Sequence, residues 1–134
     1  MTFRHYLNTS VSFIEKGKEE MTNSEVVSFQ LISIAGDAMG KLFEAMAASK
    51  KCEMAQAHTL VQEGKALLND AHNAQTSLLV ADANGEKTDV NVLLIHAQDT
   101  LMNTVLAETF VNEIIGLNDR INQLESKIEK IIGE

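Results

Sequence analysis

Between Asp89 and Gly133 the chain contains no proline, and Gly116 is the only glycine. Nothing in that span stops a helix, so the sequence predicts a single helix of about 44 residues, roughly 65 Å long at 1.5 Å per residue. Its last part carries a heptad. Ile114, Ile121 and Ile128 recur at one seam position, and Leu117, Leu124 and Ile131 at the other, with Glu125, Lys127 and Lys130 as flanking charges. Such a seam cannot bury itself, so it calls for copies of the chain or for the chain's own N-terminal segment.

The rest of the chain reads the same way. There is no proline in 134 residues, aromatics are 4 %, and good helix formers abound, which disfavours a sandwich or barrel and predicts an all-α protein. The length suits one domain with a real core. Thr22-Asn23-Ser24-Glu25 reads as a capping box that opens a first helix to about Ser49. Val26, Phe29, Ile32, Gly36, Met39, Phe43 and Met46 form an apolar stripe on it, with Gly36 and Gly40 small enough to admit a neighbouring helix. After a short polar break at Lys50–Glu53, a second helix runs from about Met54 to Ala81. Its inner face is Ala57, Leu60, Val61, Gly64, Leu67, Leu68, Ala71, Ala74, Gln75, Leu78 and Leu79. Asp82 to Thr88 is a loop with an Asn-Gly turn, and Asp89 is the expected cap of the third helix. The expectation is a three-helix up-down-up antiparallel bundle over residues 22–117, with residues 1–21 an N-terminal extension and 118–134 a helical C-terminal extension.

Composition narrows the function. A net charge of −8 argues against nucleic acid and against anionic lipid, both of which call for a basic surface; it suits a basic protein partner. Cys52 is the only cysteine, which excludes an internal disulfide and a cysteine zinc site and fits a reducing cytoplasm. No continuous apolar run reaches the roughly 18 residues of a membrane helix, so no membrane insertion is expected, and the first residues show no signal-peptide pattern.

The chemistry concentrates near the start of the third helix. Val92, Ile95, Asp99, Met102 and Leu106 step by three and four and share a face, which sets the Asp99 carboxylate inside an apolar stripe. A carboxylate buried there is costly unless it is paired, protonated or bound to a cation. His96 lies one turn earlier on the edge of the stripe, with Thr100 and Asn103 as polar neighbours. A plain His96–Asp99 hydrogen bond is the structural alternative. His5, His58 and His72 have no ligand spacing to His96. Cys52, between Lys51 and Glu53, reads as an exposed thiol.

His96-Ala97-Gln98-Asp99-Thr100-Leu101-Met102 resembles the His-Ala-Gln-Asp-His-Leu-Met signature of the lactose/cellobiose-type enzyme IIA family, phosphocarriers of the bacterial phosphoenolpyruvate-dependent sugar phosphotransferase system. Ala35-Gly36-Asp37-Ala38 and Ala71-His72-Asn73-Ala74-Gln75-Thr76 resemble the family's first- and second-helix motifs, in the same order. The resemblance spans about residues 22–117. It implies a homotrimer of three-helix subunits, with His96 the phosphorylated residue. The phosphoryl group would come from HPr and pass to a cysteine of the cognate IIB component, for uptake of a disaccharide of the cellobiose, lactose or chitobiose class. It also implies that Asp99 meets its symmetry copies on the threefold axis around a divalent metal, magnesium by expectation. Gln98 and Thr100 stand close to His96 in sequence as hydrogen-bond donors for the phosphoryl oxygens. His72 reads as a packed histidine at a subunit contact. Two positions depart from the pattern: Thr100 replaces a second histidine, and Met39-Gly40 replaces an Arg-Ser. The competing readings are a non-catalytic helical adaptor held by the C-terminal heptad and a regulatory paralogue. The adaptor explains the composition but leaves His96, Asp99 and the three motifs without a reason.

Overall fold

The structure, a computed structural model, describes residues 21–133; the extension expected before Met21 lies outside them. Three helices follow in order: α1 (Asn23–Lys50), α2 (Met54–Ala83) and α3 (Val92–Ile132). They form the expected up-down-up bundle. Thr104 Oγ1 of α3 lies 3.3 Å from the Ala35 carbonyl of α1, and Asn118 Nδ2 donates to Ser49 Oγ at 2.8 Å. Both pairs are 69 residues apart, so α1 and α3 run parallel in constant register. Between α2 and α3 the order reverses: Gln75 meets Gln98, and Lys65 Nζ lies 3.3 Å from Glu108 Oε1. α1 is the middle element, packed along both others, while α2 and α3 touch over a shorter stretch.

Local chemistry sets the ends. Thr22 caps α1: its Oγ1 accepts from the Glu25 amide, and the Glu25 carboxylate accepts from the Thr22 amide at 2.9 Å, the reciprocal pair of a capping box. The chain reverses over residues 51–53, where Cys52 takes a left-handed φ of 63°, a conformation costly for a residue with a Cβ. Gly85, at φ 85°, makes the Asn-Gly turn after α2. The cap of α3 is Asn91, not Asp89: Asn91 Oδ1 accepts from the Leu94 amide at 2.9 Å. Asparagine caps as well as aspartate, and starting the helix there puts Leu94 into the core.

The core is small-residue rich. Leu31, Ala35, Ala38, Leu42 and Ala45 of α1 are fully buried, against Ala57, Val61, Leu68 and Ala71 of α2 and Ala97, Leu101, Val111 and Ile115 of α3. Gly64 sits where α2 crosses α1; a Cβ there would lie 3.2 Å from Leu42 Cγ and 3.3 Å from the Ala38 carbonyl. The close approach therefore falls at Gly64. Gly36 and Gly40 have open space at their Cβ positions, and among the described residues no helix approaches them.

Part of the apolar stripe of α1 faces away from the core, while Ile32 and Met46 pack against it. Val26, Phe29 and Phe43 are exposed, whereas the core face uses the positions roughly half a turn away. This explains a second departure from the sequence reading. Asp37, Lys41 and Glu44 interrupt any continuous apolar run, yet averaged over an 18-residue window α1 reaches a mean hydropathy of 1.3, enough by length and composition to cross a membrane. Two apolar faces on one helix raise that average, and one of them is packed against α2 and α3.

Candidate functional site

α3 is apolar on two opposite sides. At about 100° per residue, Leu94, Ala97, Leu101, Thr104, Val111 and Ile115 gather on one side and are buried. Val92, Ile95, Asp99, Met102, Leu106 and Phe110 gather on the other and are exposed in the chain. The stripe around Asp99 is real, but it is not part of the chain's own core. Asp99 is exposed, and its Oδ2 accepts from Asn103 Nδ2 at 3.2 Å. So within one chain the carboxylate carries no burial penalty. Any such penalty arises only when something covers the stripe.

His96 is exposed on the edge of this face, one turn from Asp99 and Thr100 and two turns from Asn103. Thr100 Oγ1 donates to the His96 carbonyl at 2.8 Å, so its only proton is engaged by the backbone. The described residues contain no His96–Asp99 hydrogen bond; the Asp99 partner is Asn103.

Gln98 lies elsewhere. Two residues past His96 it is roughly 200° around the helix, half-buried on the side that meets α2. Its Oε1 accepts from Gln75 Nε2. Gln75 Oε1 in turn lies 3.3 Å from His72 Nδ1; an amide oxygen only accepts, so that ring nitrogen carries the proton. The chain His72, Gln75, Gln98 thus ties α2 to α3 beside the turn that bears His96. It brings together two of the sequence motifs, but it holds the Gln98 amide on the opposite side of α3 from the His96 ring. The pairing was missed in the sequence because it links residues 23 positions apart on different helices.

Among the described residues, no group of three His, Cys, Asp or Glu side chains could hold a metal within one chain. From Thr88 to Asp119 there is also no lysine or arginine. The face around His96 therefore offers apolar surface, one carboxylate and small polar groups, with no lysine or arginine on α3 before Arg120.

A family model described as PTS system, lactose/cellobiose-specific IIA subunit, matches residues 26–119. The chain belongs to the lactose/cellobiose-specific IIA family. Among relatives, it is 37 % identical over 103 residues to the lactose-specific EIIA component of Lactococcus lactis, covering 77 % of this chain and 95 % of that protein. It is 39 % identical over 93 residues to the lactose-specific component of Staphylococcus epidermidis, covering 69 % and 89 %. Among solved structures, the cellobiose-specific enzyme IIA of Bacillus anthracis superposes with a TM-score of 0.75 at 39 % identity, covering 78 % of this chain and 95 % of the other. The chitobiose IIA solved in complex with HPr, from the Escherichia coli phosphotransferase system, gives 0.67 at 31 % identity, covering 76 % and 99 %. This IIA subunit is therefore a component of a sugar phosphotransferase system. The family match ends at residue 119, and α3 of this IIA subunit continues for another thirteen residues, to Ile132.

Proposed function

We propose that this chain is a phosphocarrier that takes a phosphoryl group from HPr onto His96 and hands it to a cysteine of its cognate IIB component, in the cytoplasm, during uptake of a disaccharide of the lactose, cellobiose or chitobiose class. The observation that carries the reading is His96 itself: a solvent-open imidazole at the rim of an apolar face, on a chain whose family includes a IIA solved with HPr.

An unprotonated ring nitrogen of His96 attacks phosphorus in line. A new N–P bond forms as the bond to the donor's histidine nitrogen breaks, and that nitrogen leaves with the electron pair. In the second transfer a thiolate forms an S–P bond as the His96 N–P bond breaks. Little bond chemistry falls to the protein, so its contribution is positioning and charge. Exposed Val92 and Ile95 beside His96 give an apolar seat for either partner. α3 has no lysine or arginine near the ring, so any positive charge that faces the phosphoryl oxygens comes from outside this stretch of helix. Asn103 Nδ2 has a second proton beyond the one given to Asp99 and is the free side-chain donor on this face. Thr100 and Gln98 already have partners. Gln98 acts instead as a clamp between α2 and α3.

The outward stripes of α1 and α3 are covered, in this reading, by two further copies in a homotrimer. That arrangement brings three Asp99 carboxylates together on the axis. Oxygen ligands suit a hard divalent cation such as magnesium, which when bound offsets their mutual repulsion.

The test is intact-mass measurement after incubation with phosphoenolpyruvate, enzyme I and HPr. One acid-labile phosphoryl group per chain is expected in the wild type and none in His96→Ala, with both showing the same helical circular dichroism. A folded wild type that stays unmodified would overturn the phosphocarrier reading and favour the helical adaptor.

A further inference from the structure

Among the described residues, the last turns of α3 have no companion. Asn122 Nδ2 donates to the Ser49 carbonyl at 3.0 Å, the last bond from α3 to another element among the described residues. From Gln123 to Gly133 every residue is exposed. A helix of this length on its own is marginal in water. Its local side-chain support is slight. Gln123 Nε2 donates to Asp119 Oδ2 at 2.9 Å, but Lys127 has Gln123, Leu124, Lys130 and Ile131 at three and four residues' distance, and Glu125 faces Glu129 at i,i+4, a like-charge pair. Among the described residues no ion pair forms there.

Its apolar residues are ordered. Leu117, Ile121, Leu124, Ile128 and Ile131 are 55, 51, 57, 53 and 74 % exposed, and they continue the line of Val92, Ile95, Asp99, Met102, Leu106 and Phe110 along the same side of α3. Written as a heptad, Ile114, Ile121 and Ile128 are a positions, and Leu117, Leu124 and Ile131 are d positions. Arg120 and Lys127 fall at g, and Glu125 at e. In a parallel coiled coil the g residue of one strand faces the e residue of the next heptad in its neighbour, which sets Arg120 against Glu125 of another copy. An antiparallel pairing places g beside g and so sets Arg120 and Lys127 among like charges. Between copies of this segment, charge and seam therefore select the parallel, in-register pairing.

We infer that residues 117–132 form a parallel three-stranded coiled coil with the same segment of two further copies, a stalk that extends the subunit interface beyond the family domain. The inference rests on the homotrimer proposed above for the strand number; the heptad supplies orientation and register. The stalk lies toward the opposite end of α3 from His96, roughly 30 to 55 Å away along the helix, so it ties the three chains together without covering the ring that HPr and IIB must reach.

The test uses the full chain in a Cys52→Ser background with Leu124→Cys at the seam. Light scattering gives the mass, and mild oxidation without denaturant reports whether position 124 meets its own copies. The expected result is a mass of three chains and rapid disulfide linkage of chain pairs, since three thiols on one axis can link only two at a time. A second variant, Leu124→Asp/Ile128→Asp, should keep a three-chain mass, lose thermal stability and keep phosphorylation by HPr. A three-chain mass with no linkage would overturn the stalk and leave the homotrimer standing. A two-chain mass with linkage would overturn the three-stranded form and the homotrimer together, and a one-chain mass would overturn both outright.

Discussion

The two sides of α3 are similarly apolar and meet different fates. On one side Leu94, Ala97, Leu101, Val111 and Ile115 are buried under α1 and α2; on the other Val92, Ile95, Met102, Leu106 and Phe110 are 82, 59, 54, 55 and 59 % exposed. The first side makes the subunit fold. The second does nothing for a single chain and costs it solubility, because contiguous exposed apolar surface invites association. A helix that keeps both is built for two kinds of partner, its own chain and something outside it. The same contrast runs along α1, between fully buried Leu31 and Leu42 and half-exposed Phe29 and Phe43.

The comparison breaks most sharply at Leu101, fully buried in the α3 core. Leu101→Ala removes three carbons from a closely packed site and should cost about 3 kcal/mol of unfolding free energy, from lost burial plus the cavity left behind. Urea denaturation at fixed protein concentration measures it. A loss under about 1 kcal/mol would mean that the buried side is loosely packed and that α3 is held mainly from outside.

Leu106, on the other side, is the matched experiment. Leu106→Asp puts a charge on the outward stripe one helical step beyond Met102. The single chain should fold as before, by circular dichroism, because the site is open to water there. Association should weaken by at least tenfold, taking the cost of burying an unpaired charge as several kcal/mol per copy. Light scattering over a dilution series reads this directly. Unchanged association would show that the outward stripe of α3 is not an interface.

Periodicity in the sequence picked out one apolar stripe on each of these helices, and on α3 it was the outward one rather than the side that faces the chain's own core. Outward Val26, Phe29 and Phe43 are larger than Ser28, Ala35, Ala38 and Ala45, the small residues that share the buried line with Leu31 and Leu42. Hydrophobic pattern alone therefore favours the outward face, and only the close helix approach at Gly64 shows why small residues go inside. The capping box, the three helices and their order followed from local signals. The Asn91 cap did not, because Asp89 two residues earlier is chemically as good a cap. At the site, His96, Asp99 and their neighbours were readable because helical spacing places them. The Gln75–Gln98 clamp was not, since no local rule pairs residues on separate helices.

Asp99 sharpens the comparison, as the one charge on the otherwise apolar stripe between Val92 and Phe110. If copies cover that stripe, three carboxylates converge and a divalent cation relieves them. Chelator should then lower the wild-type melting temperature, and added magnesium should restore it. Asp99→Asn removes the repulsion and the ligand together, so its melting temperature should be insensitive to both and should exceed that of the chelated wild type. Magnesium dependence that survives in Asp99→Asn would place the cation elsewhere.

The smallest effect belongs to a pair on neither side of α3. Lys41 Nζ lies 2.7 Å from Glu63 Oε2, across the α1–α2 seam at the surface. The hydrogen bond and charge of Glu63 hold the ammonium proton more tightly than the ordinary lysine value of 10.5. A raised value means the folded state retains the proton better than the unfolded chain. Whatever the pair adds is thus complete below the ordinary lysine value and fades as pH climbs through the folded one. Exposed pairs gain little, because water screens the charges and two long side chains must be ordered. Lys41→Met should therefore melt within a degree or so of wild type at pH 7, and any difference should vanish in strongly alkaline buffer. A difference that stayed constant as the lysine lost its charge would show that the pairing with Glu63 is not what Lys41 contributes, since only the ammonium form makes that pair.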